Sequence, residues 1–199
     1  ILAGGYGTRM SPLTKAVNKQ LLPIYDKPII FYSLSILMLA GIKEVLIIVN
    51  QNQLQQFKQI LPDGKNLGMK ITFAQQKHPR GLPEAFIIGE KFIGKNKVAM
   101  ILGDNFFYGQ SLTEKLKECT KLHTGAKVFL HPVSNPSQYG VIKLNKKNKI
   151  LRIVEKPKTY LSNLAITGLY FFDNQVVKLA KNLKLSKRKE IEIVDLLNK

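Results

Sequence analysis

The chain has 199 residues, 45% of them hydrophobic, with 14 glycines and 9 prolines. That apolar content can offset the ordering entropy of a folded core and excludes a disordered or collagen-like chain. Lysine and arginine number 31 against 13 acidic residues, a formal charge of +18, yet the arginines are only Arg9, Arg80, Arg152 and Arg188. Scattered lysines make a solvated surface, whereas readers of nucleic acid favour the bidentate fork of arginine, so no nucleic-acid partner is expected.

Short β-branched runs alternate with helical patterns, the rhythm of a layered α/β domain. A strand ending at Ala3 runs into a glycine-rich loop, and the spacing predicts a helix over about 29–40 that stops at Gly41. A strand over 45–49, a helix over about 53–60, a strand over 70–74 and a helix beginning near Pro83 follow. The next strand, 98–102, meets Gly103; beyond it the pattern predicts a helix over 112–122 and a strand over 127–131. Segments 140–144 and 150–154 flank the polar run Asn145 to Lys149 and read as a hairpin. A strand over 164–172, a helix over 175–182, a basic loop and a last helical run over 190–198 complete the chain. The apolar stretch from Pro28 to Ile42 is interrupted by Tyr32, Ser33 and Ser35 and falls short of the roughly 20 residues a membrane span needs, so no membrane partner is expected. The chain opens at Ile1, without an initiator methionine, and closes at Lys199 inside a helical run. It is therefore expected to be a single domain, 1–199, lacking its extreme N-terminus and a C-terminal portion.

The only cysteine, Cys119, excludes an internal disulfide framework and a Cys-rich zinc site and suits a reducing, cytoplasmic compartment. His78, His123 and His131 are scattered and form no ligand pattern. The chemistry gathers first in Leu2 to Thr14, LAGGYGTRMSPLT. Gly4, Gly5 and Gly7 directly after a strand let the backbone approach a ligand closely, and successive N–H groups in such a loop can converge on phosphate oxygens. Arg9, Lys15 and Lys19 add cations at a density suited to a triphosphate. The spacing fits neither the dinucleotide fingerprint nor the lysine-containing phosphate loop, and a glycine-rich turn taken alone is as often just a tight turn.

The stretch LAGGYGTRMSPLTKAVNKQLLPIYDKPII resembles the opening of the sugar nucleotidyltransferases, and KQLLPIYDKP, Lys19 to Pro28, is most similar to the glucose-1-phosphate thymidylyltransferases. GDNFFYG at Gly103 to Gly109, YGV at Tyr139 to Val141, EKP at Glu155 to Pro157 and TGLYFFD at Thr167 to Asp173 come in that family's order and spacing. The resemblance implies a Rossmann-like α/β/α nucleotidyltransferase fold, of the GT-A-like kind, with a mixed, mostly parallel central sheet. It implies magnesium-dependent transfer of a deoxythymidylyl group from dTTP to α-D-glucose 1-phosphate, giving dTDP-glucose and pyrophosphate. UTP or another hexose 1-phosphate is the nearest alternative, and a non-catalytic nucleotide or nucleic-acid binding module is the rival from another class. A homo-oligomer is also implied.

By the same resemblance Leu2, Gly4, Gly5, Gly7 and Thr8 would cradle the nucleotide, with Gln76 and Gly81 reading the base. Arg9 and Lys19 would grip phosphates. Asp104, at the carboxyl end of a strand, would hold magnesium. Asn105, Tyr139, Gly140, Glu155, Lys156 and Ile166 would meet the sugar phosphate, with Lys156 also counted among the catalytic residues. Adjacent residues on a strand point to opposite faces, so Glu155 and Lys156 can share a site only if the strand ends or bulges near Pro157. Departures from the family's usual pattern are Asn18, Arg80, Lys189 and Val194. The family's second metal-binding aspartate would lie beyond Lys199.

Overall fold

The computed structural model describes residues 1–5 and 7–199, with the side chain of Arg9 outside the described part. In chain order, β1 (Leu2–Ala3) leads through three 3-10 turns to a small hairpin, β2 (Pro23–Ile24) and β3 (Lys27–Pro28), and then to α1 (Ile29–Leu39). Next come β4 (Glu44–Asn50), α2 (Leu54–Ile60), β5 (Lys70–Gln76), α3 (Glu84–Ile88), α4 (Glu90–Ile93), β6 (Val98–Ile101) and α5 (Leu112–Thr120). Strands β7 (Ala126–Pro132), β8 (Gly140–Leu144), β9 (Ile150–Glu155) and β10 (Leu164–Phe172) precede α6 (Val176–Lys181) and α7 (Ile193–Leu197).

The sheet is mixed. β1, β4 and β5 run parallel, and Leu2 forms a parallel bridge with Leu102 just past β6, where Gly103 N donates to Leu2 O at 2.9 Å. β10 then enters antiparallel to β6, with β7 along it and the β8–β9 hairpin attached through Ala165. Alternation along each strand feeds two cores, because successive side chains point to opposite faces. Val45, Ile47 and Val49 of β4 pack with Ile30 and Leu34 of α1, Phe57 of α2 and Leu116 of α5. On the other face Leu46 and Ile48 join Phe86 of α3, Ile93 of α4, Val176 of α6 and Leu196 of α7. That is the expected α/β/α layering.

Three expected helices come out differently. The helix at Pro83 breaks at Gly89 into α3 and α4, the helix expected to reach Leu122 ends at Thr120, and the run expected over 190–198 is helical only in α7. No helix among the described residues is long and apolar enough to cross a membrane.

Candidate active site

Because β1, β4, β5 and β6 point the same way, their carboxyl ends deliver Gly4, Asn50, Gln76 and Asp104 to one edge of the sheet, where open α/β sheets bind ligands. Asn50 ties the glycine loop down: its Nδ2 donates to Gly5 O at 3.1 Å and its Oδ1 accepts from Gly5 N at 3.4 Å. Gly7, left-handed at φ 58, opens the 3-10 turn Thr8–Met10, and Thr14 Oγ1 donates to its carbonyl at 2.8 Å. Gly4 has no side chain for a simple reason: a Cβ there would stand 2.5 Å from Gln76 Oε1. Thr8, Thr14, Lys15 and Lys77 border a polar recess of about 570 Å³ beside the loop.

Asn18 is buried and works as a wedge. Its Nδ2 donates to Ala3 O (3.2 Å) and to Gln53 Oε1 (2.6 Å), while its Oδ1 accepts from Gln20 N (2.8 Å). This holds the turn Lys19–Leu21 at the end of β1 and aims Lys19, whose Nζ lies 2.6 Å from Asp104 Oδ2. Asn105 Nδ2 donates to the other oxygen of Asp104 at 3.1 Å, and Asn105 Oδ1 accepts from Gly168 N at 3.2 Å. Gly168 sits where β10 shifts register against β7; a Cβ there would be 2.5 Å from Asn105 Oδ1, so the irregularity and the missing side chain together seat Asn105.

Asp104 and Asn105 open onto a cleft of about 820 Å³ whose walls include Tyr139, Ile166, Gly168 and Tyr170. Burial, with Glu155 nearby, raises the Tyr170 phenol well above its ordinary range, so it stays neutral. Glu155 pairs in register with Gly140, and burial followed by the nearby Glu192 raises its pKa against the pull of Arg188 and Lys156. Arg188 Nη1 stands 3.2 Å from Glu155 Oε1. The strand ends at Glu155, and Lys156 turns to φ 42 with its N donating to Tyr139 O at 2.9 Å, so simple alternation no longer sends the two side chains to opposite faces. The Lys156 side chain is exposed.

The structure thus brings together Gly4, Gly5, Gln76, Lys19, Asp104 and Asn105; of the sugar-phosphate group, Tyr139 and Ile166 share the cleft of Asp104 and Asn105, and Gly140 pairs with Glu155. Gly81 joins the two groups through the last segment, since Ile191 N donates to Arg80 O at 2.7 Å and Val194 packs against Gly140. Leu2 packs its side chain in the core, so only its main chain can meet a ligand. Arg9 lies outside the described side chains. Sequence reasoning missed Gln20, whose buried Oε1 has no partner among the described residues, and also Asn50, Glu84, Tyr170 and Arg188. Asn50 and Arg188 are recruited by contacts distant in sequence, to Gly5 and Glu155, whereas Glu84 and Gln20 are set apart by burial; composition and spacing reveal neither.

Among the described residues no group of three metal-ligating side chains occurs. A hard divalent ion that takes one or two carboxylates and completes its shell with water and phosphate oxygens fits the half-exposed carboxylate of Asp104.

A glycine loop fastened to a strand edge, with a lysine and a carboxylate in contact beside it, suits chemistry on phosphates. The family model described as nucleotidyl transferase matches residues 1–199, and the chain belongs to that family. Within it, the chain is 52% identical over 196 residues to the glucose-1-phosphate thymidylyltransferase of Neisseria meningitidis serogroup A, covering 98% of this chain and 68% of that one. It is 47% identical over 195 residues to the Mycobacterium tuberculosis enzyme of the same name, covering 98% and 67%. A solved Bacillus anthracis protein, a candidate glucose-1-phosphate thymidylyltransferase bound to sucrose, superposes with a TM-score of 0.91 at 36% identity, covering 99% of this chain and 79% of that one. UDP-glucose pyrophosphorylase complexed with UDP-glucose gives 0.84 at 31% identity, covering 98% and 83%.

Proposed function

We propose that the chain catalyses transfer of a deoxythymidylyl group from dTTP to α-D-glucose 1-phosphate, releasing pyrophosphate and forming dTDP-glucose. The observation that carries the mechanism is the 2.6 Å contact between Lys19 and Asp104 beside the glycine loop. The main-chain N–H groups of that loop bind the nucleotide, and Lys19 neutralises charge on its phosphates. Asp104 would hold Mg²⁺, which when bound shares the charge of the phosphate oxygens. The sugar phosphate is already an oxyanion, so it can attack the α-phosphorus in line without a general base; the site's task is to position two anions against each other. Asn105, Tyr139, Gly140, Glu155, Ile166 and Lys156 receive the sugar phosphate, Glu155 by accepting from sugar hydroxyls and Lys156 as a point charge. Arg9 completes the phosphate grip in this proposal.

Residues 1–199 act here as one catalytic domain. Homo-oligomerisation is part of the same reading, supported by the exposed aromatics Tyr25, Phe106 and Tyr108. A cytoplasmic location is supported by the single, unpaired Cys119.

The test is pyrophosphate release from dTTP, UTP, CTP and GTP with glucose 1-phosphate, for the native protein and for Asp104→Asn. Turnover should be greatest with dTTP and fall by about 10²–10³-fold in the variant. Equal turnover of UTP would favour the second reading, raised by the likeness to UDP-glucose pyrophosphorylase.

A further inference from the structure

Gln76 ends β5 with only 2% of its surface exposed, and Glu84, in the first turn of α3, is 6% exposed. The Glu84 carboxylate collects N–H groups from two sides. On Oε2 it accepts from Gln76 Nε2 at 2.6 Å and from the main-chain N of Arg80 at 3.1 Å. On Oε1 it accepts from Arg80 Nε at 2.7 Å, with Nη2 also at 2.7 Å. A glutamine amide can ordinarily turn end for end at little cost, because its two ends are nearly the same shape. A carboxylate, however, only accepts, so Gln76 must give Glu84 its NH₂ group. Its carbonyl oxygen then faces Gly4, the position that has no room for a Cβ. Arg80 carries a fixed charge and a planar fork, and holds Glu84 in the rotamer that does this.

We infer that Glu84, clamped by Arg80, is a positioning residue that fixes the Gln76 amide as an acceptor toward the nucleotide base, so that the site admits bases carrying a ring N–H and refuses those with a bare ring nitrogen there. The inference rests on the proposed nucleotidyl transfer and on the role that the family resemblance implies for Gln76, contact with the base. Thymine and uracil carry the N–H at N3 and guanine at N1, whereas cytosine N3 and adenine N1 are acceptors and would face the Gln76 oxygen lone pair to lone pair. The second N–H of the amide remains for the neighbouring base carbonyl. The clamp does not read the thymine methyl group, so it does not separate dTTP from UTP. Arg80, a departure from the family's usual pattern, thereby gains a role.

The experiment measures kcat and KM with dTTP, UTP and CTP, together with calorimetric binding of the same nucleotides, for the native protein and for Glu84→Gln, Arg80→Ala and Arg80→Lys. The native protein should prefer dTTP over CTP by about a hundredfold or more, because a mismatched base leaves buried polar groups unpaired. Glutamine at 84 can either accept or donate and releases the lock. Its KM for dTTP should rise about tenfold with kcat within about twofold, and the dTTP-to-CTP ratio should fall about tenfold. Arg80→Ala should give the same change in smaller measure, and Arg80→Lys should restore part of it. A merely structural role would lower the melting temperature and leave the ratio unchanged. Should Glu84→Gln not fold, Arg80→Ala, whose guanidinium is largely exposed, carries the test. Native binding that does not distinguish dTTP from CTP, no binding of either, or an unchanged ratio in folded variants overturns the inference. Turnover of UTP without dTTP would sink the thymidylyl reading and leave the clamp standing.

Discussion

Glu155 shows at the scale of one residue how a binding group can weigh against stability. Burial and Glu192 together outweigh Arg188 and Lys156, so the folded protein holds its proton at a higher pH than the ordinary value of 4.5. Below that value both folded and unfolded chains are protonated and the group is neutral in its effect. As pH rises through the window between the two values, the unfolded chain ionises first, and stability is lost. Glu155→Gln should therefore have a higher denaturation midpoint than the native protein at neutral pH, with the gap closing below about pH 4.5. Turnover should fall in the same variant, since the carboxylate is proposed to receive sugar hydroxyls. Urea titrations at acid and neutral pH check the first statement; a gap that widens on acidification would contradict it. The price of this site is a carboxylate kept where water is scarce. Lys189 makes a related point, for it stands at φ 60, a left-handed conformation in which glycine is at ease and lysine is strained.

Among the elements, the β8–β9 hairpin carries an internal conflict. Lys143 and Arg152 are directly opposite each other, and no ion pair among the described residues involves either of them. Like charges facing across strands destabilise, and opposite charges contribute roughly 0.2–1 kcal/mol. Lys143→Glu should therefore stabilise the fold by up to about 1 kcal/mol, with the gain shrinking in high salt. Thermal melts of the variant in low and high salt decide it, and a lowered melting temperature would show that the pair is not where the strain lies. The same hairpin is legible in the sequence, because two β-branched runs flank a polar, lysine-rich tip. β4 and β10 were legible for a similar reason: both are buried on their two faces and read as near-continuous apolar runs. The hairpin of β2 and β3 was not, since two residues per strand leave no periodicity to detect. Neither was the antiparallel placement of β10 beside β6, because the order of strands in a sheet depends on pairings distant in sequence. In the site, the glycine loop and Lys19 stood out by residue type and spacing, and Asp104 through the family resemblance and its place after a strand. Glu84 and Gln20 did not, because a buried polar side chain on an ordinary helix or turn looks the same in sequence as an exposed one.

For the molecule as a whole, the excess of 31 basic over 13 acidic residues acts on folding and on binding with opposite signs. A net charge of +18 repels itself in the compact state, and salt relieves that repulsion; at physiological ionic strength the screening length is about 8 Å. Salt also weakens surface ion pairs, but exposed pairs are worth only about 0–1 kcal/mol each, and most of the cations have no acidic partner to lose. Relief of repulsion should win, and the melting temperature should rise between about 10 mM and about 150 mM salt, by roughly 2–4 °C for each kcal/mol relieved in a chain of this size. The same field draws anionic substrates toward the cleft, so screening it should slow nucleotide association. Over that salt range KM for dTTP should therefore increase while the fold becomes more stable. A melting temperature that falls as salt is added would mean that specific ion pairs, not net repulsion, govern this surface. A KM insensitive to salt would mean that attraction to phosphate is confined to the few cations of the site itself, with the remaining lysines electrostatically idle.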